Sequence, residues 1–329
     1  MKKLILSFAV VASLISCQNE DKTAETVKSA ELGASASTFK RTCASQDILD
    51  QQIAADPMLA VRMNRIEAFT QDYLAKPESQ RLVNGVIEIP VVFNVLYRTA
   101  AENVSLTQLQ SQLDVMNKDF GGTNTDYNSS NPYNSVRGSI SIRFVIDQVI
   151  RKATTRTIWY SEDGFMKTVS GGGLAPTSPT TKLNYWVVSN LQSKTQGQLL
   201  GYAQFPGGAA ATDGIVCGNY CTGTSGLAAA PFNLGRTATH EIGHWLNLRH
   251  IWGDAKCGSD LVSDTPTHND PNFGNPGVGH RSTCSGTPLE MYMNYMDYVD
   301  DNVMYMFSKG QAARMNATLA VGGSRSSFR

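Results

Sequence analysis

The chain has 329 residues, 41% of them hydrophobic and 17% charged, with 28 basic residues matched by 28 acidic ones. That composition excludes disorder throughout and suffices for one large domain with an appendage. Zero formal net charge, with no local Lys/Arg block, leaves no electrostatic footprint for DNA or RNA, so nucleic acid is excluded as a partner.

Lys2 and Lys3 precede an uncharged apolar run from Leu4 to Ile15. The run is too short to span a bilayer as a helix but suits a secretory signal. Residues 1–16 are therefore read as a signal peptide and the protein as exported. Leu14-Ile15-Ser16-Cys17 is similar to the lipobox of bacterial lipoproteins, which implies lipid on Cys17 and a cell-envelope precursor. No second apolar run approaches bilayer length, so membrane attachment is expected only through that lipid. Removing residues 1–16 takes away two Lys and no acid, leaving a net charge of about −2.

Residues 18–38 are small and polar, the composition of a tether. Between Gln46 and Ala75, Ile48, Leu49, Ile53, Leu59, Met63, Ile66, Phe69 and Tyr73 recur at helical spacing, with a break at Asp56-Pro57. Two short helices are predicted. The charged, Pro-containing segment Lys76 to Arg81 marks an exposed connection. Residues 17–81 are thus expected to be a tether and small helical prodomain, and 82–329 the main domain. Val86 to Arg98 is apolar on both parities over much of its length, as a strand buried on both faces would be. Ser105 and Gln108 make a capping box opening a helix of about four turns. Ser139 to Val149 and Leu183 to Val188 read as strands, with Gly201 to Phe205 and Gly214 to Cys217 as shorter ones. A helix is predicted from about Leu234 to Leu248, then a long irregular stretch, Trp252 to Leu289, whose order must come from something other than a core. Ser308 and Gln311 open a last helix.

Only five His occur in the chain, and three lie within eleven residues: His240, His244 and His250. Residues four apart on an α-helix are offset by about 40° round the axis, so His240 and His244 project from one face as preset metal ligands. Glu241 can reach water at the metal without ligating it, the placement of a general base. His250 would lie on the wrong side of a continued helix, so the helix must break, and Asn247 is suited to the left-handed residue of a sharp turn. Three neutral imidazoles leave one tetrahedral position open, the arrangement of catalytic zinc.

These residues resemble the metzincin metallopeptidases, whose signature is HExxHxxGxxH followed by a Met-containing turn; Asn247 stands here in place of the usual Gly. The closer resemblance is to the pappalysin family and its cytophagalysin-like members. It rests on HEIGHWLNLRHIWGD (His240 to Asp254), Asp264-Thr265-Pro266, Asn294-Tyr295-Met296-Asp297-Tyr298 and the Ile89 to Tyr97 strand. The resemblance implies an α/β fold: a metzincin-like catalytic domain with a twisted mixed β-sheet, an active-site helix and an irregular C-terminal subdomain. It implies a zinc-dependent endopeptidase acting on proteins or peptides, with Met296 as an apolar floor beneath the imidazoles and Tyr298 steadying the oxyanion. Substrate is expected to lie extended along an edge strand, for which Gly201 to Phe205 is the candidate.

Five Cys remain after Cys17. A Cys257–Cys284 bridge would close a loop of about 28 residues, worth about 3–4 kcal/mol, and Cys217 and Cys221 are close enough to pair locally, although connectivity cannot be read from sequence. Cys43 is then left over. Its thiolate could take the open zinc position in a latent form, a cysteine switch. If the prodomain is cut near Gln80-Arg81, activation would release the enzyme from a lipid on Cys17. Asp254, Asp260 and Asp264 lie where pappalysin relatives bind calcium and are candidate Ca²⁺ ligands. Asp300 and Asp301 lie where the resemblance puts the S1′ pocket, implying a preference for Arg or Lys after the scissile bond. Two rivals are weighed: an inactive surface lipoprotein acting as an adhesin or binding module, and a zinc site using the later acid Glu290 in place of His250.

Overall fold

The computed structural model describes residues 40–76 and 85–329. The expected signal peptide, Cys17, the tether and the boundary around Arg81 lie outside the described residues. Five strands form the main sheet: β1 (Ile87–Tyr97), β2 (Ile142–Ala153), β3 (Leu183–Val188), β4 (Gly201–Ala203) and β5 (Ile215–Gly218). Their spatial order is β2-β1-β3-β5-β4, parallel except for β4, which pairs antiparallel with β5 at the edge. β1 is the inner strand its sequence predicts, because Val91, Val92, Phe93, Val95 and Leu96 are all buried and fill both faces. β2 begins later than predicted, at Ile142, because the backbone N–H of Ile140 is drawn to the Phe120 carbonyl. A register shift at Val91/Val92 interrupts the β1–β2 ladder.

Helices α3 (Leu106–Phe120) and α4 (Arg236–Trp245) pack on each other, with α3 against β2 and α4 against β4 and β5. Ser105 caps α3 by accepting the Gln108 N–H, but the other half of the predicted box is absent. The Gln108 amide donates instead to the carbonyls of Asn219 and Thr222. Upstream, α1 (Ser45–Ala55) and α2 (Met58–Leu74) break at Asp56-Pro57 as predicted. Ala44 and Ile48 share a core with Trp186, Val216 and Tyr202, and Leu49 and Leu59 pack on Phe205. Lys40–Arg329 consequently forms one compact unit. α5 (Lys309–Leu319) carries the complete Ser308/Gln311 capping box and packs on α2.

Trp252 to Leu289 is irregular, with only short pairings such as Phe273–Gly274 with Tyr298–Val299. Two devices hold it. The Cys257–Cys284 disulfide staples its ends, with Cα atoms 5.8 Å apart. A buried polar cluster fills its middle: the Asn272 amide bridges Glu290 (2.7 Å) and Asp297 (2.9 Å), and His268 Nε2 accepts the Met291 N–H (3.0 Å). The local Cys217–Cys221 bridge does not form. Both thiols are free and buried, and that of Cys221 points at the carbonyls of Leu200 and Gly218, at 3.2 and 3.3 Å. No helix among the described residues is long and apolar enough to cross a membrane.

Candidate active site

All ten residues of α4 are buried, so the two His that it carries are fixed by packing on every side. His240 and His244 bring their Nε2 atoms within 3.1 Å of each other. The helix stops at Trp245, Asn247 adopts φ +72°, and the Leu248 N–H returns to the Gly243 carbonyl at 2.9 Å. That reversal carries His250 back until its Nε2 lies 3.1 Å from that of His244. The left-handed turn predicted at Asn247 is the device that does it.

The Nδ1 side of each ring explains why the Nε2 atoms are available. His240 Nδ1 bonds the Tyr295 carbonyl (2.7 Å), His244 Nδ1 the Leu248 carbonyl (2.8 Å), and His250 Nδ1 the Asp254 carboxylate (2.5 Å). A ring that donates from Nδ1 presents a lone pair at Nε2. Burial and the neighbouring imidazoles push the protonation of His240 well down and that of His244 down to about 3, so both stay neutral. Three lone pairs facing one another repel unless a cation lies between them. The two separations from His244 Nε2, 3.1 Å each, are close to the edge, about 3.3 Å, of a tetrahedron with zinc–nitrogen bonds of 2.0–2.1 Å. The residues fit zinc. Cys43 is the fourth member of the cluster, with all four ligand atoms within 4.8 Å of one another.

Met296 is fully buried against α4, and Gly243 is what lets it approach: a Cβ there would stand 2.4 Å from the Met296 sulfur. The turn around Met296 is braced by Asn294, whose amide exchanges hydrogen bonds with the α5 capping residue Gln311 and accepts the Met296 N–H. The Tyr298 ring packs against His240 and His250, with centroids 5.7 and 5.0 Å away. Burial pushes the Glu241 carboxyl up to about 7, and its Oε2 accepts from the Cys43 thiol (3.2 Å) and the Ser45 hydroxyl (3.0 Å).

Residues 178–320 match the family model for pregnancy-associated plasma protein-A peptidases. An extracellular metalloprotease of Pyricularia oryzae is 31% identical over 289 residues, covering 84% of this chain and 88% of the relative. Extracellular metalloprotease 1 of Coccidioides posadasii is 32% identical, covering 70% and 76%. The chain belongs to the pappalysin family. Among solved structures, a promirolysin variant from Tannerella forsythia is 33% identical with TM-score 0.77, covering 88% of this chain and 97% of that one. Mature mirolysin of the same organism, bound to a cleaved peptide, is 36% identical with TM-score 0.70, covering 74% and 96%. The protein is accordingly a zinc metalloendopeptidase of metzincin fold.

In this pappalysin, the segment before α1 lies in the site. Cys43 forms a parallel bridge with Gly201 on β4, and its backbone carbonyl accepts the Tyr298 hydroxyl (3.2 Å). Arg41 is buried: its guanidinium donates to Asp301 (2.5 Å), Thr237 Oγ1 (3.2 Å) and the Val299 carbonyl (3.1 Å). Of the two predicted pocket acids, only Asp301 faces this guanidinium in a hydrogen bond. Asp301 is itself oriented by the backbone N–H groups of Leu234 and Arg236, whereas Asp300 is partly exposed.

The three expected calcium ligands do not converge. Asp254 is taken by His250, Asp260 by the Thr265 hydroxyl and the Val262 N–H, and Asp264 by the Ser308 hydroxyl and the Gly310 N–H. The loop geometry sends each to a separate structural task. Glu290, which the rival zinc site required, lies in the polar cluster with Asn272 and accepts the Asn269 N–H. Sequence reasoning missed Arg41, Ser45 and the Asp254–His250 pair. The last carried a readable signal, an acid four residues after the third His.

Proposed function

We propose that this pappalysin is exported as a latent precursor and, once the segment ending near Arg81 is cut away, hydrolyses protein or peptide substrates before Arg or Lys. One observation carries the reading. Arg41, Cys43 and Ser45 occupy, within five consecutive residues, the Asp301 pocket, the fourth corner of the His cage and the Glu241 carboxylate. A guanidinium already seated on Asp301 is the chemistry that a substrate Arg would repeat. Export is supported by the naming of the relatives as extracellular, and a lipid on Cys17 would hold the precursor at the membrane.

Zinc held in the cage would supply Lewis-acid polarisation of a carbonyl and a water acidified towards neutrality. His240, His244 and His250 would hold the ion through rings locked by Tyr295, Leu248 and Asp254. Glu241, freed of Cys43 and Ser45, takes a proton from the attacking water and passes it to the leaving amine. Its raised proton affinity suits both transfers. Tyr298, freed of the Cys43 carbonyl, donates its hydroxyl proton in a hydrogen bond to the developing oxyanion. The edge of β4, freed of residues 42–44, accepts the substrate backbone as an added strand.

The test compares processed wild type with processed Glu241→Ala on a peptide with Arg after the scissile bond. The variant is expected to lose roughly 10²–10⁴-fold in kcat while keeping its zinc; turnover that survives would overturn the assignment of the base. In parallel, the unprocessed Cys43→Ala precursor is expected to cleave the peptide. An inert precursor would count against the cysteine as the latch.

A further inference from the structure

We propose that removing the prosegment bares an acid-binding exosite, centred on Arg314 with Arg249 beside it, that recognises carboxylate side chains N-terminal to the scissile bond. The inference rests on the proteolytic reading above and adds a substrate class to it.

The prosegment's second helix is held by more than apolar contact. The carboxylate of Glu67 on α2 is gripped by both terminal nitrogens of Arg314 on α5, Nη1 to Oε1 at 3.0 Å and Nη2 to Oε2 at 2.7 Å. A planar fork meeting a carboxylate in this way is a recognition geometry, not a diffuse attraction. Arg314 is 1% exposed, yet Glu67 is its only ion-pair partner among the described residues. Its other contact is the Leu261 carbonyl at 3.3 Å, and its Nε has no hydrogen-bond partner. The nearby Asp260 is already engaged by Thr265 and Val262. When α2 departs, Arg314 stays on α5 and loses the only carboxylate hydrogen-bonded to its fork, keeping Asp260 nearby as an acid committed to other bonds, and a partly buried guanidinium with its two terminal nitrogens vacated favours a replacement carboxylate.

The place of this fork in the cleft sets which part of a substrate it meets. Arg41 seats its side chain on Asp301, the side that takes the residue after the scissile bond, and the chain then passes the cage at Cys43 and enters α1 beyond it. A cavity of about 210 Å³ lies between the prosegment residues Gln46, Leu49 and Glu67 and the residues Phe205, Asn247 and Arg249, which stay behind when the prosegment leaves. Its wall runs from Gln46, three residues past Cys43, to Glu67, the carboxylate that Arg314 holds, so the space vacated by the prosegment leads from the His cage towards that fork. The Phe205 ring in its wall lies 5.2 Å from that of His244. Arg249 follows the turn that delivers His250 and is exposed, adding a second positive charge to the same groove. Residues preceding the cut would lie in this groove, where the zymogen itself supplies a glutamate.

The experiment uses processed full-length enzyme and two fluorogenic peptides sharing one scissile bond before Arg. They differ only in carrying two Glu or two Gln roughly four to eight residues upstream, about 13–26 Å of extended chain. Wild type is expected to favour the Glu peptide by about 10-fold in kcat/KM, chiefly through KM, with the preference collapsing at about 0.5 M NaCl. In Arg314→Gln the ratio is expected to fall to about 1, and in Arg314→Lys to lie between. Because it is a ratio on one enzyme sample, a loss of folded fraction cancels, and the salt series on wild type needs no variant. A wild-type ratio near 1, or a preference untouched in Arg314→Gln, would overturn the exosite. A ratio near 1 with the cut prosegment co-eluting would give the groove to the prosegment instead. Cleavage of neither peptide would overturn the proteolytic reading itself, and the exosite with it.

Discussion

The two halves of the zinc site are built by opposite means. α4 contributes His240, Glu241 and His244 from a helix buried over its whole length, so packing alone fixes those side chains. His250 and Asp254 belong to the start of the irregular stretch, where four of the seven described non-glycine residues with left-handed backbone occur: Asp254, Cys257, Leu261 and Thr287. There, position is set by a disulfide, side-chain hydrogen bonds and turns in place of a core. A helix spreads the cost of a ligand's placement over many neighbours; a loop concentrates it in a few bonds, each of which can be cut singly.

The contrast is broken most severely at the staple. Cys257→Ser with Cys284→Ser is expected to cost about 3–4 kcal/mol, since the bridge closes a long loop across a sequence separation of 27. Limited proteolysis should then cut first within 252–289 while α4 stays protected; simultaneous loss of both regions would show that they are one cooperative unit. Next in size is Asp254→Asn, which removes the charged acceptor from His250 Nδ1. Zinc affinity, read by competition with a chelator, should weaken about 10–100-fold; unchanged affinity would mean that the loop places His250 without help. Smallest is Gly243→Ala, which forces the Met296 sulfur away from α4 and should lower stability by about 1–3 kcal/mol in thermal unfolding. A fully tolerated alanine would show that the Met floor yields easily.

The same contrast explains what was legible. Helical period placed His240 and His244 on one face, and a run apolar on both parities identified β1 as an inner strand, because both patterns are properties of regular backbone. The break after His244 could be inferred because His250 had to return, and Asn247 supplied the residue able to turn. Loop acids gave no such constraint. Asp254, Asp260 and Asp264 were grouped as calcium ligands by the resemblance alone, yet in the fold they face an imidazole, a threonine hydroxyl and a helix N-terminus. Arg41 was illegible for another reason: its partner Asp301 lies 260 residues away, and only the folded chain brings the two together. The Cys217 and Cys221 expectation failed because proximity in sequence does not aim two sulfurs at each other.

The pairing of residues 42–44 along β4 has a consequence for the protein's travels. A bare strand edge offers unsatisfied backbone groups to any passing chain, including another copy of itself. In the precursor the Leu200 N–H is answered by the Thr42 carbonyl and the Gly201 carbonyl by the Ala44 N–H, at 3.1 and 3.2 Å. On the proposed function, the edge that takes substrate is thus already satisfied for as long as residues 42–44 stay attached, and is sheltered from self-association until they are removed.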